Sequence, residues 1–406
     1  LKTLASNTQL EALALLFNRN TDVRSTKIRE YGGTQESEAA VAMGLKWIAN
    51  QQATDGSWEF DGTLEGRRAA TAMALIAFLG SGNTHKKGNF KTQFGAGLSF
   101  LIQSLGGDGS LRDSKLGMFS HGLATTVLSE CAVMTQDPIL SEPLTAAINF
   151  INSAHRADEG GWGKDEGDPV DDRITIWQIS ALKYSGTSFR PQDRRTLANC
   201  KKRLLAFPPE ELINDLNGDD DSKRLIAVIR LHGLMLLSDR EHKEYLKCID
   251  AILELGPSDN DIYYNYYAGQ LVFQHKAFLS NENATESLLW DSWNKSVLKK
   301  LISAQKTGTG TDSGSFSFNY PNSLGGGRLM DTSFALMILQ IYYRYSQQND
   351  LDRIKEQLIA KRLDEKINAV GPGKPTVERG AGGEIIGLTF RGVRGEDSLF
   401  KETEFL

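Results

Sequence analysis

Apolar residues recur along this chain with helical spacing, and they do so in two alternating styles. The first style is amphipathic, with Lys, Gln and Asn gathered on one face. It covers the helical parts of Gly44–Trp58, Gly97–Leu111, Ala147–Trp162 and Val297–Phe316, and the stretches 192–206 and 241–254. The second style carries small and aliphatic residues on nearly every face, which predicts burial on most sides. It covers Arg67–Gly80, Gly117–Met134, Asp171–Ser185, Ser222–Leu237, Asp261–Ala277 and Leu329–Tyr345. Gly-rich, Asp-containing turns separate the two.

The amphipathic segments are repeats. GLKWIANQQATDGSW begins at Gly44 and GLSFLIQSLGGDGSL at Gly97. Each has a small residue, an aromatic-aliphatic pair (Trp47-Ile48, Phe100-Leu101), a Gln, and Asp-Gly-Ser. A third copy has Phe150-Ile151 and ends in Gly-Gly-Trp at Trp162, and a worn copy runs from Val297 to Phe316. Trp47 is expected to pack its outer helix inward. Gln51 is expected to cap or bridge backbone groups at the turn with Trp58 stacked on it, and Gly56 to permit the reversal. All of these are structural roles.

Six such pairs predict an all-α domain, with apolar helices inside and amphipathic helices outside. They can close into a single α/α toroid of about six inner and six outer helices, or stay open as a solenoid. Repeat counting leaves both open. The expected organisation is an N-terminal extension over 1–33 with a helix at Thr8–Asn18 and a polar connection, the repeat domain over 34–348, a charged helix within 349–370, and a Gly-rich tail over 371–406. In that tail Glu384–Phe390 reads as a short strand.

Composition adds limits. The chain has 406 residues, 40% hydrophobic and 24% charged, which is a globular balance. Lys plus Arg number 46 against 51 Asp plus Glu, so the net charge is −5 and no basic footprint for nucleic acid is present. The longest apolar stretch, Ala69 to Leu79, is too short to span a bilayer. Three cysteines make no dense disulfide framework. The chain opens with Leu1, which is compatible with a removed leader and a place in the cell envelope or facing the periplasm.

On the segments quoted above, the chain resembles the squalene-hopene and oxidosqualene cyclases with their QW-type repeats, Gln51 and Trp58 being the diagnostic pair. Protein prenyltransferase β-subunits and complement thioester domains share that toroid. A closer likeness is to squalene-cyclase-like repeat proteins of planctomycete bacteria. It is carried by YGGTQESEAAVAMGLKWIANQQATDGSW, His121-Gly122-Leu123-Ala124-Thr125, WQISALKYSG, DIYYNYYAGQ and GGGRLMDTSFALMILQIYYRY. The resemblance spans roughly residues 34–345, strongest in the first three repeats. It implies six helix pairs and a central cavity.

It also implies a place for chemistry. Such cyclases protonate a polyene with a carboxylic acid from a D-x-D-D motif at the start of an inner helix. The corresponding stretch here is Asp168-Pro169-Val170-Asp171-Asp172-Arg173. Two residues separate Asp168 from the Asp171-Asp172 pair, and Arg173 stands where a small hydroxyl residue is expected. A proton donor must be kept protonated by burial or a like charge, and an adjacent Arg opposes that. The bland reading is that Asp171 or Asp172 caps the helix. Ligand-lining candidates are Trp177, Tyr263, Tyr264 and Tyr267, whose rings stabilise a cation or simply fill a core. His121 joins them as a group at the cavity mouth or, alternatively, as a hydrogen-bonded core histidine.

Other chemistries find no support. The Asp-x-Cys zinc spelling of prenyltransferases is absent around Cys131, Cys200 and Cys248, and the six histidines form no close pair, so no metal and no cofactor is expected. Cys131 lies outside any thioester motif. Asp215–Asp221 lacks the Gly and Glu positions of a calcium loop and reads as a solvated turn before the Ser222 helix. No phosphate-binding glycine loop follows a strand. Two functions remain. One is a cyclase-like protein binding an isoprenoid or another apolar molecule, with isomerase or lyase chemistry. The other is a catalytically silent scaffold making protein contacts in the cell envelope.

Overall fold

A computed structural model describes residues 19, 21–185, 190–237, 243–259, 261–279, 284–320, 324–345, 375–379 and 385–390. The helices are α1 Thr21–Tyr31, α2 Gln35–Asn50, α3 Arg67–Gly80, α4 Lys91–Gln103, α5 Met118–Thr135, α6 Ser141–Ser153, α7 Asp172–Tyr184 and α8 Pro191–Leu204. They continue as α9 Pro209–Asn217, α10 Asp221–Leu237, α11 Lys243–Leu255, α12 Ile262–Leu279, α13 Ala284–Ala304, α14 Gly327–Leu339 and α15 Ile341–Arg344. In the tail, β1 (Pro375–Arg379) pairs antiparallel with β2 (Ile385–Phe390).

The ring is closed. Inner helices α3, α5, α7, α10, α12 and α14 each pack on the next, and α14 packs on α3. Outer helices α2, α4, α6, α8, α11 and α13 surround them, with α9 wedged against α10 and α11. The inner helices are buried almost all round: every residue of α3 from Ala69 to Gly80 is buried. This is the all-α toroid that the two helix styles predict, with α9 as an unpredicted extra helix. Part of Asp215–Asp221, read as a turn, thus belongs to α9, while Asp220 accepts from the Ser222 and Lys223 amides at the start of α10. The polar connection expected before residue 33 contains α1; Thr8–Asn18 and the charged stretch 349–370 lie outside the described residues.

One local device repeats around the ring. Gly56 has φ +88°, and a Cβ there would stand 2.6 Å from the carbonyl oxygen of Ala96 on the next outer helix. Gly314 has φ +96° and abuts Met43 O in the same way at 2.4 Å. Both places admit only glycine without strain. Above the turn, the backbone N–H of Trp58, Trp162 and Phe316 donates to the hydroxyl of Thr71, Thr175 and Thr332. Gln51 is the C-cap of α2 and its Nε2 donates to Trp47 O at 3.5 Å, while the bonds that bridge the turn come from Gln52. Gln52 Nε2 donates to Gly56 O and to Gln93 O of α4, both at 2.8 Å, whereas Gln51 is exposed. Trp58 is fully buried, donates to Ile48 O at 2.7 Å and meets Phe78. Trp47 donates to Thr311 O, so it joins the first outer helix to the last turn.

Candidate functional site

All six inner helices start at one end of the ring. Asp113, ahead of α5, accepts from the Arg68 and Ala69 amides at the start of α3, and Asp61, ahead of α3, accepts from Leu329 N at the start of α14. The carboxylates implied as catalytic lie at this end. Asp171 is the N-cap of α7: its Oδ1 accepts from Arg173 N at 2.8 Å, and both its oxygens take the Arg173 guanidinium, at 2.7 Å for the closest pair. That pairing holds Arg173 above the ordinary arginine range. Asp172 is 6% exposed and bridges Arg203 of α8 (3.2 Å) and Arg230 of α10 (2.8 Å). Arg230 in turn lies over the Phe207 ring, 3.5 Å from its centroid. Asp168 turns back into its own loop and accepts from Asp165 N. The three aspartates therefore do not converge on one point. Each is engaged with its own cap, ion pair or loop.

His121 sits between inner α5 and outer α6. Its Nδ1 accepts from Leu111 N (3.0 Å), its Nε2 lies 3.1 Å from Ala147 O, and its ring meets Phe150. Leu111 closes the second repeat as Trp58 closes the first, so His121 does the work of Thr71. With both nitrogens used and burial lowering its pKa to about 3, it is a neutral core histidine, not a group at the mouth.

The aromatic candidates do meet. Trp177 of α7 stacks on Tyr266 of α12 with centroids 6.2 Å apart and planes within 10°. Tyr263 contacts Tyr267 (5.4 Å) and Phe334 of α14 (4.8 Å), and Tyr266 contacts Tyr267 and Phe334. His232 of α10 stands 5.2 Å from Tyr267. Four inner helices thus send rings to one centre. Tyr266 belongs to this group because it lies three residues from Tyr263 on one helical face. Tyr264 is buried beside this group, with Arg224 and Asp261 as its electrostatic neighbours. The rings are 0–5% exposed, so they fill the axis at this level.

Several polar atoms in this centre are buried without a partner: Trp177 Nε1, Tyr263 Oη, Tyr267 Oη and His232 Nδ1. The Tyr263 hydroxyl, pushed up to about 12 by burial, feels both Tyr267 and Trp177, although none of the three satisfies hydrogen-bond geometry with another. Native cores rarely leave so many buried polar atoms unpaired in one place.

One carboxyl escaped the sequence reading. Asp331 lies on the inner helix α14 at 4% exposure, accepting from Phe318 N (2.8 Å) and Tyr320 Oη (3.4 Å). Burial raises its pKa to about 6, so it exchanges a proton near neutrality. Tyr320 interacts electrostatically with Asp331 and with Tyr263, which links this carboxyl to the aromatic centre. The available signal was an acidic residue inside the otherwise apolar run Leu329–Leu339.

Away from the axis, Cys131 Sγ lies 3.4 Å from His85 Nδ1, and His85 Nε2 lies 2.8 Å from Asp137. The order matches nucleophile, base and orienting acid. The thiol is fully buried, however, and burial pushes it up to about 12, which makes it a core thiol. At the opposite end of the ring from Asp171, Glu130 of α5 bonds Arg19 and Arg344, each at 2.8 Å, and those arginines reach Leu79 O and Ile76 O at the end of α3. Among the described residues no group of three His, Cys, Asp or Glu is placed to hold a metal, and no helix is long and apolar enough to cross a membrane.

No protein-family profile matches this chain, and no curated protein matches it. Solved structures do. A GH76 α-1,6-mannanase from Salegentibacter sp. HEL1_6 superposes with a TM-score of 0.54 at 10% identity, covering 76% of this chain and 99% of that one. A type II terpene cyclase from Scytonema, solved with geranylgeranyl dihydroxybenzoate, superposes at 0.50 with 8% identity, covering 76% and 97%. At such identity the likeness is one of fold: the chain has the α/α-toroid architecture found in both.

Proposed function

We propose that this toroid binds an isoprenoid-like small molecule at the centre formed by Trp177, Tyr263, Tyr266, Tyr267 and Phe334. The carrying observation is the set of unpartnered buried polar atoms among those rings, which a guest entering from the inner-helix N-terminal end would pair. The rings supply faces for an apolar or cationic body. Binding requires them to turn aside, since they close the axis. Isomerase or lyase chemistry there needs a proton exchanged near neutrality. Asp331 has that property, whereas Asp171 and Asp172 are committed to guanidinium groups.

A second reading, a scaffold without catalysis, is favoured by the filled axis itself. One experiment separates the two. The purified chain and Trp177→Ala are incubated with a bacterial lipid extract, and retained molecules are identified by mass spectrometry. An isoprenoid held by the wild type and lost in the variant supports the binding reading. No retained lipid on a folded wild-type chain overturns it and leaves the scaffold.

A further inference from the structure

The unpartnered atoms at the centre are chemically specific. Gln270 Nε2 donates to Tyr266 O at 3.1 Å, which turns Gln270 Oε1 toward His232 Nε2 at 2.9 Å. Oε1 only accepts, so His232 Nε2 carries the proton, and His232 Nδ1 is a bare lone pair. That nitrogen is buried and has no partner. Burial lowers the imidazole pKa to about 4, so the ring is neutral at pH 7. Trp177 Nε1–H is the opposite kind of group, a donor without acceptor capacity. Tyr263 and Tyr267 each bring a hydroxyl that can donate or accept.

A pure hydrocarbon would leave all four atoms unpaired. An anion would meet the His232 lone pair, and a cation would meet the Trp177 N–H. A neutral hydroxyl answers every member of the set, because it donates and accepts at once. We infer that the centre of this toroid recognises a neutral hydroxyl group, with Trp177 Nε1–H and His232 Nδ1 as fixed donor and acceptor and Tyr263 and Tyr267 as adaptable partners. This rests on the binding reading above and narrows its guest to a hydroxylated one. An isoprenoid alcohol and a carbohydrate share that chemistry.

The test is calorimetric binding of three probes to the full chain: geraniol, the same ten-carbon diene without its hydroxyl, and α-1,6-mannotriose. Geraniol is expected to bind about tenfold or more tightly than the hydrocarbon, the cost of leaving buried polar atoms unpaired. Tyr263→Phe/Tyr267→Phe should reduce that preference, leaving the part that Trp177 Nε1–H and His232 Nδ1 supply. The same double variant should melt at a higher temperature than the wild type, because it deletes buried hydroxyls that nothing pairs. Mannotriose binding with the same dependence on the tyrosines supports hydroxyl recognition and reassigns the guest to sugars. Equal affinity for alcohol and hydrocarbon overturns the hydroxyl inference and leaves the binding reading standing. No binding of any probe overturns both. A lower melting temperature in the double variant overturns the inference as well, since it would show the hydroxyls already paired within the protein.

Discussion

Gln305 donates its side-chain amide to the carbonyl of Ala40, 2.8 Å away across 265 positions of chain, and also to Gly314 O at 2.9 Å. Gln52 makes the same two bonds inside the first repeat, to Gly56 O and to Gln93 O of the following outer helix. The last repeat therefore treats α2 as its next neighbour. Ring closure uses the contact that joins consecutive repeats.

Gln305→Ala should then cost about 2 kcal/mol, since it removes two buried hydrogen bonds at the closing seam. Gly314→Ala should cost more than Gly256→Ala. Both glycines have positive φ, but a Cβ at Gly314 meets Met43 O whereas nothing lies within 4 Å of one at Gly256. Urea unfolding of the variants checks both. Equal midpoints for the two glycine variants would contradict this account of the closure.

Glu130→Gln removes the charge between two buried guanidiniums, and about 3–5 kcal/mol should be lost. Arg344 and Arg19 hold Glu130 below its ordinary value against the opposing effect of burial. A folded pKa below the unfolded one means the stabilisation is present above the unfolded value near 4.5 and disappears as pH falls through the folded value. The wild type should therefore lose melting temperature below about pH 4.5 more steeply than Glu130→Gln does.

Asp331 has the reverse sign. Its folded pKa of about 6 exceeds the ordinary 3.8, so the folded chain holds an extra proton between those values. Stability then falls as pH rises from about 4 to 6 and stays level above. Asp331→Asn keeps an acceptor for Phe318 N–H and should flatten that slope, gaining up to about 3 kcal/mol at pH 7. Thermal melts at half-unit pH steps would show it, and an unchanged slope would remove Asp331 as the proton-exchanging carboxyl.

Asp171 and Asp172 should separate by stability. Asp171→Ala loses a cap, worth about 1 kcal/mol. Asp172→Ala strands Arg203 and Arg230 and should cost about 3 kcal/mol. Neither should change the affinity for geraniol. A tenfold loss of binding in either variant would return that aspartate to the site.

The alternation of helix styles, the places of the inner helices and the glycine turns were legible in the residues, although the expected helix Leu329–Tyr345 divides at Gln340 into α14 and α15. Inner α3 falls on Arg67–Gly80 as the apolar run predicts, because 3.6-residue periodicity and helix-ending glycines are local properties. The candidate site was legible only in part. Trp177, Tyr263 and Tyr267 do meet, whereas Tyr266 and His232 were passed over because their partners, Phe334, Trp177 and Gln270, come from other helices.

What the chain alone determined is therefore the unit: one amphipathic and one apolar helix joined by a turn that only glycine can make. What tertiary structure decided is what the units do together. Whether six pairs form an arc or a ring depends on the small rotation accumulated from each pair to the next, and no single repeat records that sum. Closure brought Gln305 to Ala40 and Arg344 to Glu130. Burial then set the charge behaviour of Asp331 and His121, because a group's proton affinity follows its distance from water and from other charges. Those distances exist only once the ring has formed.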